Sequence, residues 1–147
     1  DRELIAGGLR TPKRFLVVTE VVHRYAKRFF VKVEQISIQS DHVHFLVRIS
    51  RRSMFQNFLR VVGGQIAQRF QNANLMRRFV TDTRQGKGNR QKLWKLRPFT
   101  RVVRGRRAVH TVRDYIQLNE LEAAGRIPYR EMRLHGLSRE ERNRLWS

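Results

Sequence analysis

Ser40-Asp41-His42-Val43-His44-Phe45-Leu46-Val47-Arg48-Ile49 is the stretch that decides how this chain folds. Successive side chains of a strand point to opposite faces. As a strand, the stretch places His42, His44 and Leu46 on one face and Val43, Phe45, Val47 and Ile49 on the other. The second face is wholly apolar and is expected to be core. The first carries two imidazoles about 7 Å apart at the Cα level, from a rise of about 3.3 Å per residue. Both rings can converge on one ion if a third ligand arrives from elsewhere. His-x-His is also a short pattern, and two surface histidines on a half-buried strand fit it equally well.

Just upstream, Phe30 to Gln39 reads as a second strand. Val31 and Val33 alternate, then the phase shifts to Ile36 and Ile38, which predicts a bulge near Glu34-Gln35. Ser40-Asp41 is turn chemistry, so the two strands form an antiparallel hairpin. A helix precedes them, over about 12–28. Thr11 is its N-cap, Pro12 its first residue, and Val18, Val22, Tyr25 and Phe29 its apolar stripe. His23 falls on its polar face. Gly7-Gly8 belongs to a lead-in.

Downstream, Ser53-Met54-Phe55-Gln56 has the spacing of a capping box. Phe55, Leu59, Val62, Ile66 and Phe70 form the stripe of a second helix, about 54–72. Gly63-Gly64 falls inside it at a cost of about 1 kcal/mol each relative to Ala, and close packing against the sheet is the expected reason. Arg60, Gln65, Gln68 and Arg69 face solvent or DNA. Residues 73–95 lack periodicity, and Gly86-Lys87-Gly88-Asn89 is loop chemistry. Phe99 to Val103, introduced by Pro98, reads as a third strand. A third helix follows, about 107–123, with Val109, Val112, Ile116 and Ala123 on its inner side and Gly125 closing it. Tyr115 and Asn119 stand one turn apart on one face, which Glu122 extends. Ser138-Arg139-Glu140-Glu141 starts a short last helix within the mixed segment 126–147.

Composition names the kind of partner. The 147 residues suit one domain with a real core, and 40% are hydrophobic. Against 12 acidic residues stand 32 basic ones, a net charge of +20. A field that strong implies a polyanion, with nucleic acid the default. Between Arg77 and Arg107 the cations are Arg77, Arg78, Arg84, Lys87, Arg90, Lys92, Lys95, Arg97, Arg101, Arg104, Arg106 and Arg107, against the single acid Asp82. This cluster, with Arg60, is expected to contact phosphates. Trp94, between Leu93 and Lys95, suits stacking on an unpaired base or an edge of the core. No apolar run is long enough to span a membrane, and no secretory signal is recognisable. There is no cysteine, hence no disulfide and no thiolate metal site. An intracellular, nucleoid-associated protein of the cytoplasm fits these features. The chain begins at Asp1 rather than Met, as after processing or trimming.

Two histidines and a carboxamide form a nitrogen and oxygen site suited to manganese or magnesium, and to zinc. Such an ion acts as a Lewis acid on a phosphate oxygen, and a neighbouring tyrosine can attack as a nucleophile. His42-Val43-His44 in an apolar strand, then a helix, then the basic segment Arg97-Pro98-Phe99-Thr100-Arg101-Val102-Val103, then Tyr115-Ile116-Gln117-Leu118-Asn119, resembles the single-tyrosine transposases of the HUH superfamily. The REP-associated branch is the nearer one, since Asn119 stands four after the tyrosine and Glu120-Leu121-Glu122-Ala123-Ala124-Gly125 follows. The likeness covers about residues 12–130.

The resemblance implies an α+β fold, ferredoxin-like or RRM-like, with an antiparallel sheet and helices packed on one face, as one catalytic domain with a C-terminal tail from residue 128. It implies His42 and His44 as metal ligands, with Asn119 as the third where relatives often have Gln. Tyr115 would attack a phosphodiester of single-stranded, hairpin-containing DNA, leaving a 5′-phosphotyrosine and a free 3′-OH. Dimers are common in that family, and the tyrosine helix can act in trans. Two features depart from it. The strand that usually precedes the first helix is missing from residues 1–11, which bears on stability and dimer geometry. Asp41 precedes His42 where the family often has Asn, and both residues cap turns. The competing reading is a non-catalytic, domesticated hairpin-binding protein. Charge does not separate the two; the joint presence of His42, His44, Tyr115 and Asn119 does. A basic ribosome-associated structural protein, the third class, predicts no metal binding.

Overall fold

The computed structural model describes residues 8–76, 93–94, 96–132 and 138–146. Within them the order is α1 (Pro12–Arg28), β1 (Lys32–Ile38), β2 (Val43–Arg48), α2 (Arg52–Asn72), α3 (Arg106–Ala123) and α4 (Arg139–Trp146). The class is α+β, as expected: an antiparallel hairpin with helices packed around it.

Hydrophobic periodicity sets the first layer. Val18, Val21, Val22 and Ala26 of α1 and Phe58, Val62, Ile66 and Phe70 of α2 are buried in one cluster with Val31, Ile38 and Leu93. Val33, Ile36, Val43, Phe45 and Val47 of the hairpin pack on this cluster. The Phe45 and Phe58 rings meet edge to face, 6.4 Å between centroids. Removing a side chain such as Phe58 from water is worth about 2–3 kcal/mol. The apolar face of β2 is therefore core-facing, with Ile49 past the strand end and exposed. The bulge lies where the phase shift put it: Val33 pairs with Val47 and Gln35 with Leu46, leaving Glu34 as the extra residue.

Helix α3 lies across the other face of the hairpin. The Gln35 side chain bonds that of Gln117. Ile38 N–H donates to Glu120 Oε2 at 3.0 Å, and Gln39 Nε2 donates to the Asn119 carbonyl at 3.1 Å. Arg10 donates to both Glu120 oxygens and to the Ile38 carbonyl. Ser37 is fully buried, and Leu46, on the histidine side of β2, is buried as well. Helices thus cover both faces of the hairpin rather than the single face expected: α1 and α2 the apolar one, α3 the polar one. On α3 itself Ile116, Leu118 and Leu121 are the buried residues, whereas Val109, Val112 and Ala123 are only half-buried. The inner side is rotated from the expected stripe because half of what it faces is polar.

The expected third strand at Phe99–Val103 is not formed. Phe99 and Val102 are 92% and 75% exposed, and the segment runs without ladder partners among the described residues. β-branched residues favour a strand only where a neighbour supplies pairing and packing, and Pro98 brings no N–H. The sheet has two strands among the described residues. The capping box expected at Ser53 is also absent. The helix starts two residues earlier, with Arg51 at the N-cap and no side-chain cap bond. A reciprocal capping box stands instead at α4: Ser138 N–H donates to Glu141 Oε2 at 2.8 Å and Glu141 N–H to Ser138 Oγ at 3.2 Å.

The helix ends share one device. Phe30, Asn74 and Gly125 adopt positive φ, and the next residue's N–H reaches back to Ala26, Phe70 and Leu121. At the other end of the domain Gly8 is required: φ is +70°, and a Cβ there would lie 2.7 Å from the Ser40 carbonyl oxygen. Leu9 N–H donates to that same oxygen at 2.8 Å. Buried Arg14 ties this corner together, donating to Leu75 O and to Gly8 O, and burial pushes its pKa down.

Candidate active site

The hairpin turn builds the histidine pair. Gln39 N–H donates to His42 O at 2.8 Å, so the turn is closed and His42 enters β2 in a fixed register. His42 and His44 then lie on one side of the hairpin, two residues apart, as strand geometry requires. Their rings stand edge to face with centroids 4.6 Å apart, and the two Nε2 atoms are 2.9 Å from each other. His42 Nδ1 is 2.7 Å from Asp41 Oδ1. Partial burial, and secondarily the charge of His42, pushes the His44 pKa down, which favours its neutral imidazole.

The residue set fits a divalent ion. Two nitrogens bound at right angles, each at about 2.1 Å, lie about 3 Å apart, close to the separation of the two Nε2 atoms. Among the described residues no cluster of three His, Cys, Asp or Glu side chains is arranged for a metal. Asn119 lines the same pocket as His42, His44 and Tyr115.

Helix α3 delivers Tyr115 and Asn119. Glu120, next to Asn119 on the same helix, reaches β1, its carboxylate held by Arg10 and by the Ile38 N–H. That clamp fixes both the rotation and the height of α3 over β1. Tyr115 is 40% exposed, so its phenol is reachable from solvent while lying in the pocket wall. Gln39, Glu122 and Tyr129 line the pocket too. Tyr129 was missed at the sequence level because it follows Pro128 outside any periodic element, and the turn after α3 folds it back.

A long cleft leads to this pocket. Its walls are β2, the side of α2 that carries Phe55 and Leu59, the segment 96–103 and the first half of α3. Arg60, Arg97, Arg101 and Arg107 line it together with His42, His44 and Tyr115. Arg104 and Arg106 are exposed beyond its wall. Arg48 and Arg52 line it as well, and sequence reasoning passed over them because they close the strand and open the helix. Arg77, Arg78, Arg84, Lys87, Arg90, Lys92 and Lys95 lie outside the described residues, as does the 86–89 loop.

Trp94 is the core edge. Its Nε1 donates to Gly63 O at 2.9 Å, and its ring packs against the apolar cluster. Gly63 therefore meets Trp94 rather than the sheet. A Cβ at Gly63 would stand 3.5 Å from Trp94 Nε1, ordinary contact, and one at Gly64 would meet nothing within 4 Å.

The chain belongs to the IS200-like transposase family, whose model matches residues 13–119. The matched span runs from α1 through the hairpin and α2 to Asn119, so it includes the histidine pair and Tyr115. Its family places the chain among the proteins of DNA transposition, which cut and rejoin DNA strands. No curated protein and no solved structure matches the chain. No helix among the described residues is long and apolar enough to cross a membrane.

Proposed function

We propose that the chain is a single-tyrosine transposase of the HUH type, related to the REP-associated branch, which cleaves and rejoins single-stranded DNA at hairpin-containing sites. One observation carries this reading: an accessible tyrosine shares a pocket with two imidazoles whose Nε2 atoms converge. His42, His44 and Asn119 would hold manganese or magnesium, which as a Lewis acid draws charge from a non-bridging phosphate oxygen.

Tyr115 Oη attacks the scissile phosphorus. The new bond joins Oη to the 5′-side phosphate, the bond to the 3′ oxygen breaks, and that oxygen leaves as a 3′-OH after taking up a proton. The phenolic proton leaves to solvent. Phosphodiester energy is kept in the phosphotyrosine link, so attack by a 3′-OH reverses the step and joins a strand without a nucleotide cofactor. Arg48, Arg52, Arg60, Arg97, Arg101 and Arg107 supply the cleft with charge for the phosphates.

A denaturing gel with labelled hairpin DNA, manganese or chelator, and Tyr115→Phe alongside tests this. The expected result is a protease-sensitive shifted band that needs manganese and is lost in the variant. Tight, salt-sensitive binding with no adduct in the wild type would overturn catalysis and favour the hairpin-binding alternative.

A further inference from the structure

The geometry points to Asp41 as a positioning residue that fixes which nitrogen of His42 carries the proton. The inference rests on the reading of His42 and His44 as metal-holding residues. Asp41 Oδ1 stands 2.7 Å from His42 Nδ1, while His42 Nε2 faces His44 Nε2 at 2.9 Å. An ionised carboxylate only accepts. His42 therefore keeps its proton on Nδ1 and turns the Nε2 lone pair toward the point on which the second imidazole also converges. A neutral imidazole has one donor and one acceptor nitrogen, and the bond made by one fixes the role of the other.

The turn holds Asp41 for this task from two sides. Gln39 N–H donates to His42 O, and the Ser40 carbonyl accepts from Leu9 N–H. The carboxylate thus stands on an anchored corner. An Asn at this position has the same shape and one acceptor oxygen, but no charge to stabilise the Nδ1 proton. Aspartate here makes the Nε2 lone pair a stronger metal ligand rather than merely capping the turn.

The test uses the full chain with 15N-labelled histidine. In the metal-free protein, with the imidazoles neutral, nitrogen shifts are expected to report the Nδ1–H form of His42. Asp41→Ala is expected to move it to the Nε2–H form, and Asp41→Asn to leave it largely in place. Manganese affinity by calorimetry is expected to fall about 10–100-fold in Asp41→Ala and less in Asp41→Asn, with circular dichroism and hairpin binding unchanged. An unchanged tautomer, or a manganese affinity within twofold of wild type in Asp41→Ala, overturns the role of Asp41 alone. A wild-type chain that binds no manganese overturns the metal reading, and the inference with it.

Discussion

The two faces of the hairpin are packed by different physics. On one, Val33, Ile36, Ile38, Val43, Phe45 and Val47 meet α1 and α2 through apolar contact. On the other, Gln35 and Gln39 meet α3 through hydrogen bonds, and Gln39 also donates to buried Ser37, beside the two histidines. Apolar burial is strong but non-directional; it holds the layers together and tolerates small slips. Hydrogen bonds lose their strength steeply with angle and distance, so they fix where α3 stands. The helix that carries Tyr115 is on the directional side. Stability and site geometry are thus assigned to opposite faces of the same two strands.

That division can be broken from either side. Phe58→Ala empties the centre of the apolar layer and is expected to cost about 3–5 kcal/mol, read from urea unfolding. Where the variant is still folded, the pocket should keep its manganese affinity. Glu120→Ala removes the acceptor shared by Arg10 and the Ile38 N–H, at an expected cost of about 2 kcal/mol. It should lower adduct formation by more than its loss of stability explains, with the folded fraction held equal. If adduct formation tracked only the folded fraction in both variants, the division would not hold.

A smaller effect sharpens the apolar side. Gly64 is exposed within α2 and has open space for a methyl group. Gly64→Ala is expected to stabilise the protein by about 0.5–1 kcal/mol. A loss of stability there would mean that the helix needs the glycine for contacts not yet seen. The smallest effect is a titration. The folded pKa of His44 is depressed by burial first and by His42 second, so the unfolded chain binds the proton more tightly. Its contribution to stability is whole above about pH 6.5 and declines as the pH falls from there toward the folded pKa. A proton NMR titration of His44 should give a midpoint below the ordinary imidazole value; a midpoint at or above it would contradict the semi-buried placement.

The sequence made the local elements legible. Pro12 and the valine stripe locate α1, the shifted phase at Glu34 locates the bulge, and Gly125 closes α3, because each depends on residues within a few positions. Long-range choices were hidden. Gln35, Ser37 and Gln39 alternate with Ile36 and Ile38, and nothing in an alternating pattern says that a polar helix side will cover them. Phe99–Val103 has strand composition without a partner, and composition does not supply one. Arg14 looks like any surface arginine of a helix, and only the fold brings Leu75 and Gly8 to it. Within the site, the histidine pair and the Tyr115–Asn119 spacing were legible, whereas the Glu120 clamp and Tyr129 depend on where α3 docks.

Two tyrosines line one pocket, and the account assigns the chemistry to the one on α3. Peptide mapping by mass spectrometry of the protein–DNA adduct, formed with manganese and then digested with nuclease and protease, tests this most directly. The expected result is a phosphonucleotide mass on the peptide containing Tyr115 and on no other. Modification on Tyr129 instead, or an adduct on a residue outside this pocket, would contradict the assignment of Tyr115 as the nucleophile.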